Sequence, residues 1–506
     1  MTDLAAPPVS PATADREPRL TCVNPADGST VAEYPVAGAD EVVAAVARAR
    51  AAAPAWQALG SAGREQCLLR WAGYLVEHAD ELCDLVHAEN GKPRDDAYLE
   101  LVLALELIRW AARNADRELK PRRVRPGPLM ANFAAHVEYR PLGVVGVIGP
   151  WNYPLYTPTG SGAFALAAGN TIVFKPSEYT TAIGVYWASA FAAANPDLPD
   201  GVLSVVTGYG ETGAALCRAD VDKIAFTGST ATGKKIMATC AERLTPVLLE
   251  CGGKDALVVA EDADVTAAAK AAAWGGVGNS GQTCVGVERV YVVEPVRDRF
   301  LSALQAELSG VRGSASPDGA YGPMTMPSQV DVVRRHVADA LEHGGTELVG
   351  GLDSIRPPFV DPVVLLDTDE SSLAVQEETF GPTLTVRTVR DVDEAVALAN
   401  GTRYGLASTV FSRAHGVEIA RRLRAGATSI NAPLGFGAIP ALPFGGVGES
   451  GIGRIHGAEG LREFVRPHAI ARQRFAIPGP SLMSFDRPAA MMRLVKRVVA
   501  RRHRAG

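Results

Sequence analysis

A single cysteine, Cys284, ends the small, polar stretch of residues 279–284, which reads N-S-G-Q-T-C. An apolar helical run at residues 267–277 precedes this stretch, and a strand-like run at residues 289–293 follows it. A loop between a helix and a strand is a place where a rigid scaffold can present a reactive side chain. Most cysteines are small buried hydrophobic residues, so Cys284 is a candidate nucleophile only if other residues support it.

Two further stretches carry polar side chains that could assist a reaction at a cysteine. Glu250 follows the apolar run 247–249, and an acid in an apolar setting has a raised pKa and can act as a general base. Asn152 lies in the stretch 150–154, P-W-N-Y-P, where its amide could donate to a developing oxyanion. Each has an ordinary alternative, because a strand-end acid can turn to solvent and an asparagine can simply occupy a turn.

Two glycine-containing stretches could bind the phosphates of a dinucleotide. Residues 208–213 read G-Y-G-E-T-G, a literal match to G-x-G-x-x-G between a strand and a helix. Residues 226–234 read F-T-G-S-T-A-T-G-K and begin a helix whose free N–H groups could hold a phosphate. Since a lone glycine pattern can also be a plain tight turn, these residues alone do not separate the two sites.

Two shorter stretches place charged side chains near predicted strands. Residues 174–178 read F-K-P-S-E and end a predicted strand, the position where parallel sheets bind ligands. A lysine and a carboxylate there suit the two hydroxyls of a ribose, although a solvated pair in a loop has the same pattern. Residues 378–382 read E-T-F-G-P and offer one more acid and an aromatic ring, whose commonest role is in a core.

The elements that must position these stretches follow an α/β pattern from residue 143 onward. Short apolar strands alternate with helices, which predicts a parallel sheet covered on both faces. The strands of this first unit are predicted at residues 144–148, 171–174, 203–206, 223–226 and 247–249. A second α/β unit is predicted over residues 252–443, with strands at 257–260, 290–293, 383–386 and 408–411.

The chain before residue 143 is predicted to be mainly helical. Asp40 is predicted to cap a first helix, and helical patterns follow at residues 66–88 and 96–116. The basic segment 122–130 and the strand-like segment 136–140 then form an arm without an obvious core of its own. Such an arm could pair with another subunit.

Length and composition exclude several classes of protein. A folded chain of 506 residues predicts two or three domains, and its net charge of −6 argues against a nucleic-acid-binding surface over the body. The seven cysteines include no C-x-x-C pair and the nine histidines no metal-ligand spacing, which favours a reducing, cytoplasmic compartment and predicts no metal. Residues 1–20 lack the features of a signal peptide and are predicted to be a flexible tail.

Seven motifs, taken in order, resemble those of the aldehyde dehydrogenase superfamily over residues 22–475. They read W-N-Y-P, F-K-P-S-E, F-T-G-S-T, E-x-G-G-K, N-S-G-Q-T-C, E-T-F-G-P and P-F-G-G. The resemblance implies an α/β fold with a Rossmann-type cofactor domain, an α/β catalytic domain and a small oligomerisation arm. The implied boundaries are 1–20 for a flexible tail, 21–122 and 142–251 for the dinucleotide-binding domain, 252–445 for the catalytic domain, 123–141 and 446–482 for oligomerisation or bridging elements, and 483–506 for a basic tail.

The resemblance also implies a reaction, in which an aldehyde is oxidised to a carboxylic acid. Cys284 would attack the aldehyde carbonyl, and the oxyanion would be held by the backbone N–H of Cys284 and the side-chain amide of Asn152. Hydride transfer to the oxidised nicotinamide would leave a thioester on the cysteine. Glu250 would then activate the water that hydrolyses this thioester, in agreement with a reaction split by an activated nucleophile.

The implied cofactor is NAD, with NADP as the other candidate. Its pyrophosphate would lie near the helix that Gly228 and Ser229 begin, which favours the second glycine stretch over the first. The residues implied to bind the cofactor are Trp151, Lys175, Ser177, Glu178, Gly228, Ser229, Gly233, Glu378 and Phe380. Lys175 and Glu178 match residues that contact the adenine ribose, while Glu378 and Phe380 match those that position the nicotinamide ribose and ring.

The substrate stays open within the family resemblance. The motifs are similar to class 3 enzymes and to actinobacterial enzymes named succinic semialdehyde dehydrogenases. The well-studied succinic semialdehyde enzymes hold the far carboxylate with two arginines, and Gly160 and Gly278 stand at those positions here. The alternatives to a general aldehyde dehydrogenase are therefore a succinic-semialdehyde-type enzyme and a non-catalytic binding scaffold. A homodimer or homotetramer is expected.

The C-terminal residues 491–506 are basic and have apolar residues at helical spacing. A basic amphipathic helix can lie on an anionic membrane surface. It can equally pack on an acidic patch of the body or a neighbouring subunit, or stay disordered, because short helices are marginal alone. Peripheral membrane contact would make a long-chain, lipid-derived aldehyde a more plausible substrate.

Overall fold

The computed structural model describes residues 18–127, 130–478 and 484–503. The strands are β1 (Arg19–Val23), β2 (Thr30–Pro35), β3 (Arg122–Val124), β4 (Phe133–Pro141), β5 (Val144–Ile148), β6 (Thr171–Lys175), β7 (Leu203–Val205), β8 (Lys223–Thr227), β9 (Val247–Glu250), β10 (Asp255–Val259), β11 (Val287–Val293), β12 (Thr346–Val349), β13 (Ile355–Arg356), β14 (Phe359–Val360), β15 (Val363–Leu366), β16 (Thr383–Val389), β17 (Ala407–Phe411), β18 (Ala427–Ile430), β19 (Gly451–Ile452) and β20 (Val465–Gln473). The helices are α1 (Ala39–Ala58), α2 (Gly60–Glu77), α3 (Ala79–Asn90), α4 (Arg94–Glu118), α5 (Tyr156–Ala167), α6 (Thr181–Ala194), α7 (Gly210–Arg218), α8 (Thr230–Ala241), α9 (Val265–Val277), α10 (Arg297–Leu308), α11 (Gln329–Glu342), α12 (Leu373–Gln376), α13 (Val392–Ala399), α14 (Gly416–Arg422), α15 (Gly457–Glu463) and α16 (Ala489–His503).

The first sheet confirms the α/β pattern expected from residue 143 onward. Its strand order is β19-β9-β8-β5-β6-β7, and the five strands from β9 to β7 run parallel. All residues of β5 and β6 are buried, as expected for strands covered on both faces. In the register, Ile148 lies opposite both Lys175 and Phe226, while Thr227 lies opposite Glu250. Several candidate site residues therefore meet at the carboxyl edge of one sheet.

A second, seven-stranded sheet carries the cysteine loop. Its order is β12-β15-β16-β11-β10-β17-β18, parallel except for β12. Helix α9 begins after Asp264, whose side chain accepts a hydrogen bond from the Ala267 N–H at 3.1 Å. The chain then passes through a short turn and Cys284 before it enters β11, the central strand of this sheet. Strands β12, β15 and β18 were missed by the sequence patterns, which are weak for such short elements.

Three predictions for the N-terminal part need correction. Helix α1 is capped by Gly38 rather than Asp40, and the Gly38 N–H donates to Oε2 of Glu41 at 3.0 Å. The helix predicted over residues 66–88 is two helices, α2 and α3, because the backbone leaves helical geometry at His78. The predicted tail of residues 1–20 does not extend to residue 20, since β1 begins at Arg19 and pairs with β2; residues 1–17 lie outside the described part.

The chain divides into two compact units. The larger comprises the described part of residues up to 118 together with residues 141–465, and the smaller comprises the described residues of 119–140 and 466–506. Residues 446–465, expected among the bridging elements, fall in the larger unit because β19 pairs with β9 and α15 packs against α4 and α5. The assignment of the two large sheets to a cofactor domain and a catalytic domain stays a prediction.

The smaller unit contains the arm and the basic tail. Its sheet has the order β20-β4-β3, and its helix α16 confirms the helical spacing at the C-terminus. Leu494, Val498 and Val499 of α16 are exposed, at 62%, 48% and 43%. Within the described ranges, no helix is long and apolar enough to cross a membrane. The tail residue Arg504 lies outside the described residues.

Candidate active site

The turn before Cys284 has an unusual backbone. Asn279, Ser280 and Gly281 have φ values of 54°, 57° and 67°, so three successive residues lie in the left-handed region. Only glycine adopts this region without a steric cost. A Cβ on Gly281 would lie 2.0 Å from the carbonyl oxygen of Gly381, so no larger residue fits there. The backbone is therefore forced into a tight turn that delivers Cys284 to a fixed place.

Side-chain hydrogen bonds hold this turn in its costly conformation. Ser280 Oγ donates to the Gly322 carbonyl at 2.5 Å. Gln282 Nε2 donates to the Asn279 carbonyl at 3.0 Å, and Gln282 Oε1 accepts from the Thr325 N–H at 2.8 Å. Backbone strain of this kind persists where surrounding contacts over-determine it, typically at functional sites. The polar residues of N-S-G-Q thus build the turn, and Cys284 is left to react.

Asn152 lies against this turn although 130 residues separate it from Gln282. It is buried, and its Nδ2 donates to the Gln282 carbonyl at 2.8 Å. In return, Asn279 Nδ2 donates to the Asn152 carbonyl at 3.1 Å. An amide nitrogen carries two N–H donors, and Gln282 takes one of them. The loop after β5 and the loop before β11 are therefore tied together beside Cys284.

Glu250 is buried without a hydrogen-bonding partner. It is 3% exposed, and neither carboxyl oxygen has a partner among the described residues. Burial raises its pKa well above the ordinary value, and the charge of Arg454 opposes this only in part. A carboxyl group with a raised pKa is a stronger base once it ionises. An orphaned buried acid of this kind is typical of a functional rather than a structural role.

The Cys284 thiol is also electrostatically perturbed. Burial raises its pKa, and the nearby carboxyl groups of Glu378, Asp255 and Glu250 raise it further. The resting thiol is therefore protonated at neutral pH, whereas the attacking species must be the thiolate. A base has to take the thiol proton when Cys284 attacks.

The larger of two cavities around Cys284 has a volume of about 730 Å³ and lies between the two sheets. One side is formed by the loops at the carboxyl ends of β5, β6, β8 and β9, and the other by loops that precede β11 and β16. The candidate residues that line it are Trp151, Asn152, Lys175, Ser177, Glu178, Gly228, Ser229, Glu250, Cys284, Glu378 and Phe380. Gly233, which lies in α8, does not line this cavity. It faces Cys251 instead, and a Cβ added to Gly233 would lie 2.9 Å from the Cys251 sulfur.

Both glycine stretches reach the larger cavity. Gly210 and Gly213 of the first stretch line it together with Gly228 and Ser229 of the second. Ser229 caps α8, its side chain accepting from the Thr232 N–H at 3.3 Å, and the first turn of this helix is exposed toward the cavity. The two stretches are thus neighbouring walls of one site rather than competing sites.

The far end of the larger cavity carries the charged pair seen in the sequence. Lys175 Nζ lies 3.4 Å from Glu178 Oε2, and burial lowers the pKa of this lysine. Ser177 Oγ accepts a hydrogen bond from the Tyr179 N–H at 3.3 Å, so it fixes the turn between them. A cation and an acid in one partly open corner provide a donor and an acceptor for a sugar.

At the end of the larger cavity near Cys284, the acidic side chain of Glu378 and the aromatic ring of Phe380 are held in place. The Glu378 carboxylate accepts from the Gly253 N–H at 3.1 Å, and burial together with the Glu288 charge raises its pKa to about 8. A Cβ on Gly252 would lie 2.0 Å from Glu378 Oε2, and one on Gly253 would lie 2.8 Å from the Cys284 carbonyl oxygen, which explains the paired glycines of E-x-G-G-K. Phe380 packs edge-on against Trp151 with ring centroids 5.4 Å apart.

One supporting residue was missed by the sequence analysis. Glu288 forms a buried ion pair with Lys254, and its carboxylate also accepts from the N–H groups of Thr379 at 2.8 Å and Phe380 at 3.1 Å. It therefore fixes the segment that carries Glu378 and Phe380. An acid within the otherwise largely apolar strand β11 was the available signal, because a buried carboxylate needs such partners.

The smaller cavity, of about 340 Å³, adjoins the larger one. Glu250, Cys251 and Cys284 line both. Its apolar walls come from residues far apart in the sequence, which include Leu99, Val102, Leu103, Tyr156, Trp274, Leu434, Phe444 and Ile455. Leu99 and Trp274 are 58% and 56% exposed, so they lie where this cavity opens to solvent. Of these residues only Phe444 stands in a motif, P-F-G-G, because each of the others resembles an ordinary core or surface residue.

Comparisons with known proteins agree with this geometry. The model of the aldehyde dehydrogenase family matches residues 12–470. A 4,4'-diapolycopene aldehyde oxidase of Methylomonas sp is 38% identical over 463 residues, covering 91% of this chain and 87% of that protein. A glutarate-semialdehyde dehydrogenase of Pseudomonas aeruginosa is 35% identical, covering 89% and 94%. The crystal structure of lactaldehyde dehydrogenase from Escherichia coli is 32% identical, with a TM-score of 0.86 over 91% of this chain and 97% of that chain.

Proposed function

The chain belongs to the aldehyde dehydrogenase family, and on this premise we propose that it oxidises aldehydes with an apolar body at Cys284. As an NAD(P)-dependent enzyme of this family it converts aldehydes to carboxylic acids. The observation that carries the proposal is that a polar cavity and an apolar cavity meet at Cys284 and Glu250. A cofactor and an apolar substrate can thereby reach the same thiol from two sides.

In the proposed mechanism, the Cys284 sulfur bonds to the aldehyde carbon as the thiol proton passes through water to the Glu250 carboxylate, the acid that lines both cavities, and from there to solvent. The carbonyl oxygen becomes an oxyanion, which the Asn152 amide and the Cys284 backbone N–H stabilise. The bound cofactor supplies the chemistry of a hydride acceptor for the former aldehyde carbon. Glu250 then takes a proton from water as that water attacks the thioester carbon, and the acid leaves as the Cys284 sulfur is released.

The larger cavity fits a dinucleotide. The exposed start of α8 offers N–H groups to a pyrophosphate, with Gly228 and Ser229 at the approach. Lys175 and Glu178 suit the hydroxyls of the adenine ribose, and Glu378 and Phe380 suit the nicotinamide end. We propose NAD as the preferred cofactor, because the Glu178 carboxylate accepts bonds from a free 2′-hydroxyl and repels a 2′-phosphate.

The charges of the smaller cavity favour an apolar substrate over a carboxylated one. No arginine is found among the described residues that line it. Lys92 lines this cavity but is already paired with Glu100. Asp96 lines the cavity beside them, and its carboxylate would repel a carboxylate on the substrate. At ~30 Å³ for each water-sized group, the cavity holds about ten such groups. This size fits a medium-length chain, and a longer one would extend through the opening at Trp274.

Of the two glycines that stand where the succinic semialdehyde enzymes have arginines, Gly160 has a structural explanation and Gly278 has none. A Cβ on Gly160 would lie 2.8 Å from Nε2 of the buried His456, so the imidazole occupies the room of a side chain. A Cβ on Gly278 would meet only Trp274, at 3.7 Å, and this glycine lines the smaller cavity. A semialdehyde substrate would therefore find no cation at either position.

The substrate proposal is tested with pairs of aldehydes of equal length. One member of each pair ends in a methyl group and the other in a carboxylate, and kcat/KM is measured for both with saturating NAD. We expect at least a tenfold advantage for the methyl-ended aldehydes, since a buried carboxylate without a partner costs more than 1.4 kcal/mol. An aldehyde that ends in an ammonium group controls for charge as such. Preference for the carboxylated members would support the semialdehyde alternative instead.

Two proposals concern the surroundings of the enzyme. The cysteines are all free thiols, which supports a cytoplasmic location. The three-stranded sheet of β20, β4 and β3 is the proposed oligomerisation element, giving a homodimer or homotetramer. These assignments are checked by fractionation of cells and by light scattering of the purified enzyme.

Peripheral membrane contact through α16 is proposed because its apolar side chains are exposed beside a row of cations. The cations are Arg493, Lys496, Arg497, Arg501 and Arg502. Each well-placed cation contributes on the order of 1 kcal/mol at an anionic surface. Co-sedimentation with anionic and neutral liposomes compares the full chain with a chain that ends at Asp486. Equal, negligible pelleting of both chains would remove this proposal.

A further inference from the structure

A buried ion pair grips the backbone that carries Asn152. Lys92 Nζ and the Glu100 carboxylate are hydrogen-bonded, and both side chains are 1% exposed. Lys92 Nζ also donates to the Asn152 carbonyl at 3.2 Å. Glu100 Oε1 accepts from the N–H groups of Leu155 at 2.8 Å and Tyr156 at 3.0 Å, the N-cap and the first residue of α5. The pair therefore holds the segment at Asn152 and again three to four residues later.

This pair is not explained by stability alone. Taking two charges out of water is costly, and apolar residues of similar volume often replace a buried ion pair without loss of stability. Here every remaining bond of the pair goes to the backbone of one short segment, residues 152–156. Trp151, the residue before this segment, is held by Asn90, whose Nδ2 donates to the Trp151 carbonyl at 2.8 Å. The contacts fix a position rather than fill a core.

We propose that Lys92 and Glu100 are positioning residues that set the place of the Asn152 amide relative to Cys284. The inference rests on the proposed role of Asn152 in holding the oxyanion. With its carbonyl fixed by Lys92 and Asn279, Asn152 has little freedom beyond its own side-chain torsions. A displacement of about 1 Å at a reacting centre can cost roughly 100-fold in rate. Loss of the pair is therefore a loss of oxyanion stabilisation.

A double-mutant cycle tests this coupling. Lys92→Met and Asn152→Ala are made singly and together, and kcat, KM and cofactor affinity are measured with a short aldehyde. We expect Lys92→Met to lower kcat about 100-fold and to change cofactor affinity less than about twofold. In the Asn152→Ala background the same substitution should lower kcat less than about threefold, since residues that act through one another are not additive.

Three further variants separate positioning from folding. Lys92→Arg keeps a cation and should retain more of kcat than Lys92→Met. Should Lys92→Met fail to fold, Lys92→Met combined with Glu100→Gln removes both charges, and it enters the cycle in its place. Asp222→Asn is the matched control: this partly buried carboxylate pairs with Arg50 at 3.0 Å and accepts from the Val144 N–H at 2.7 Å, at the amino end of β5 and away from Cys284. It should lower the melting temperature and leave kcat unchanged.

The outcomes are distinct. If the Lys92 and Asn152 substitutions multiply fully in kcat, the pair has only a structural role and the inference is overturned. If Asp222→Asn lowers kcat as much as Lys92→Met, the effect is general destabilisation and the inference also falls. Full kcat in Asn152→Ala alone would instead overturn the assigned role of Asn152, and with it this inference.

Discussion

The two cavities that meet at Cys284 are built in opposite ways. The larger is walled by short polar stretches that follow or precede strands, and most of its residues belong to contiguous motifs. The smaller is walled mainly by apolar side chains from α4, α5, α9 and the segment 433–455, and of these only Phe444 stands in a motif, P-F-G-G. A site that depends on specific polar atoms produces a pattern of residue types that is visible in the sequence. A site that depends on shape and apolar surface produces no such pattern.

The sheets explain part of this difference. Ligands bind beyond the carboxyl ends of parallel strands, and the residues after β5, β6, β8 and β9 obey that rule. Cys284 and Glu378 instead precede β11 and β16, so they reach the same cavity from the amino edge of the other sheet. No periodicity in the sequence predicts that the carboxyl edge of the first sheet faces the amino edge of the second.

The largest expected effect is at the junction of the two cavities. Cys284→Ala should abolish aldehyde oxidation, because it removes the thiol that would bond to the substrate carbon. Cofactor affinity should stay nearly unchanged, since most of the proposed dinucleotide contacts lie on the loops of the first sheet and none is made by the Cys284 thiol. Initial rates and a cofactor-binding titration measure the two effects, with Cys240→Ala as the control that keeps most activity. Full turnover in the Cys284→Ala variant would refute the mechanism.

This junction also shows how far the sequence could go. The nucleophile, the acid and the asparagine were predicted because Cys284, Glu250 and Asn152 stand in ordered motifs, and the structure brings them together. The parallel first sheet followed from apolar strands of regular spacing. Lys92 and Glu100 could not be found, because their function depends on backbone groups more than 50 positions away. The strained turn at Asn279 was equally hidden, since φ is not a property of composition.

Glu250→Gln should produce the next largest effect. An amide cannot accept a proton from water, so thioester hydrolysis should slow by roughly 10²- to 10⁴-fold, as expected for loss of a general base. Hydride transfer precedes this step, so a burst of reduced cofactor should precede a slow steady state in stopped-flow traces. A variant that turns over at the parental rate at all pH values would show that another group is the base.

Glu250→Gln should lower activity but raise the stability of the folded protein at alkaline pH. Since burial raises the pKa of Glu250 in the folded state, folded protein binds more protons than unfolded protein between the two pKa values, and stability falls as pH rises through that window. Glu250→Gln removes this penalty. Its melting temperature should therefore exceed that of the parent at alkaline pH, and the difference should shrink below about pH 4, near the ordinary carboxyl value. An unchanged difference across pH would argue against the raised pKa.

Trp274→Ala tests the apolar cavity alone. Trp274 stands at its opening, so KM for long methyl-ended aldehydes should rise roughly three- to tenfold, in line with the apolar area lost. KM for short aldehydes, which do not reach the opening, and KM for NAD should stay within about twofold of the parent. A rise that is equal for short and long aldehydes would show that the ring shapes the reacting centre instead.

Glu178→Gln tests the polar cavity alone and is expected to have the smallest effect. The Glu178 side chain is 34% exposed, so solvent and salt screen its charge, and a pair of this kind is worth about 1 kcal/mol or less. The ratio of kcat/KM for NAD over NADP should therefore fall by no more than about fivefold. Two causes act together: the repulsion of a 2′-phosphate is lost, and Lys175, no longer paired at 3.4 Å, becomes available to bind it. The shift should shrink as ionic strength rises, whereas KM for the aldehyde should not change.

Glu211→Gln is the control, because Glu211 is the acid of the first glycine stretch that lines the same cavity. If Glu211→Gln changes the NAD preference and Glu178→Gln does not, the adenine ribose lies against the first glycine stretch, and the assignment of Lys175 and Glu178 to that ribose is wrong.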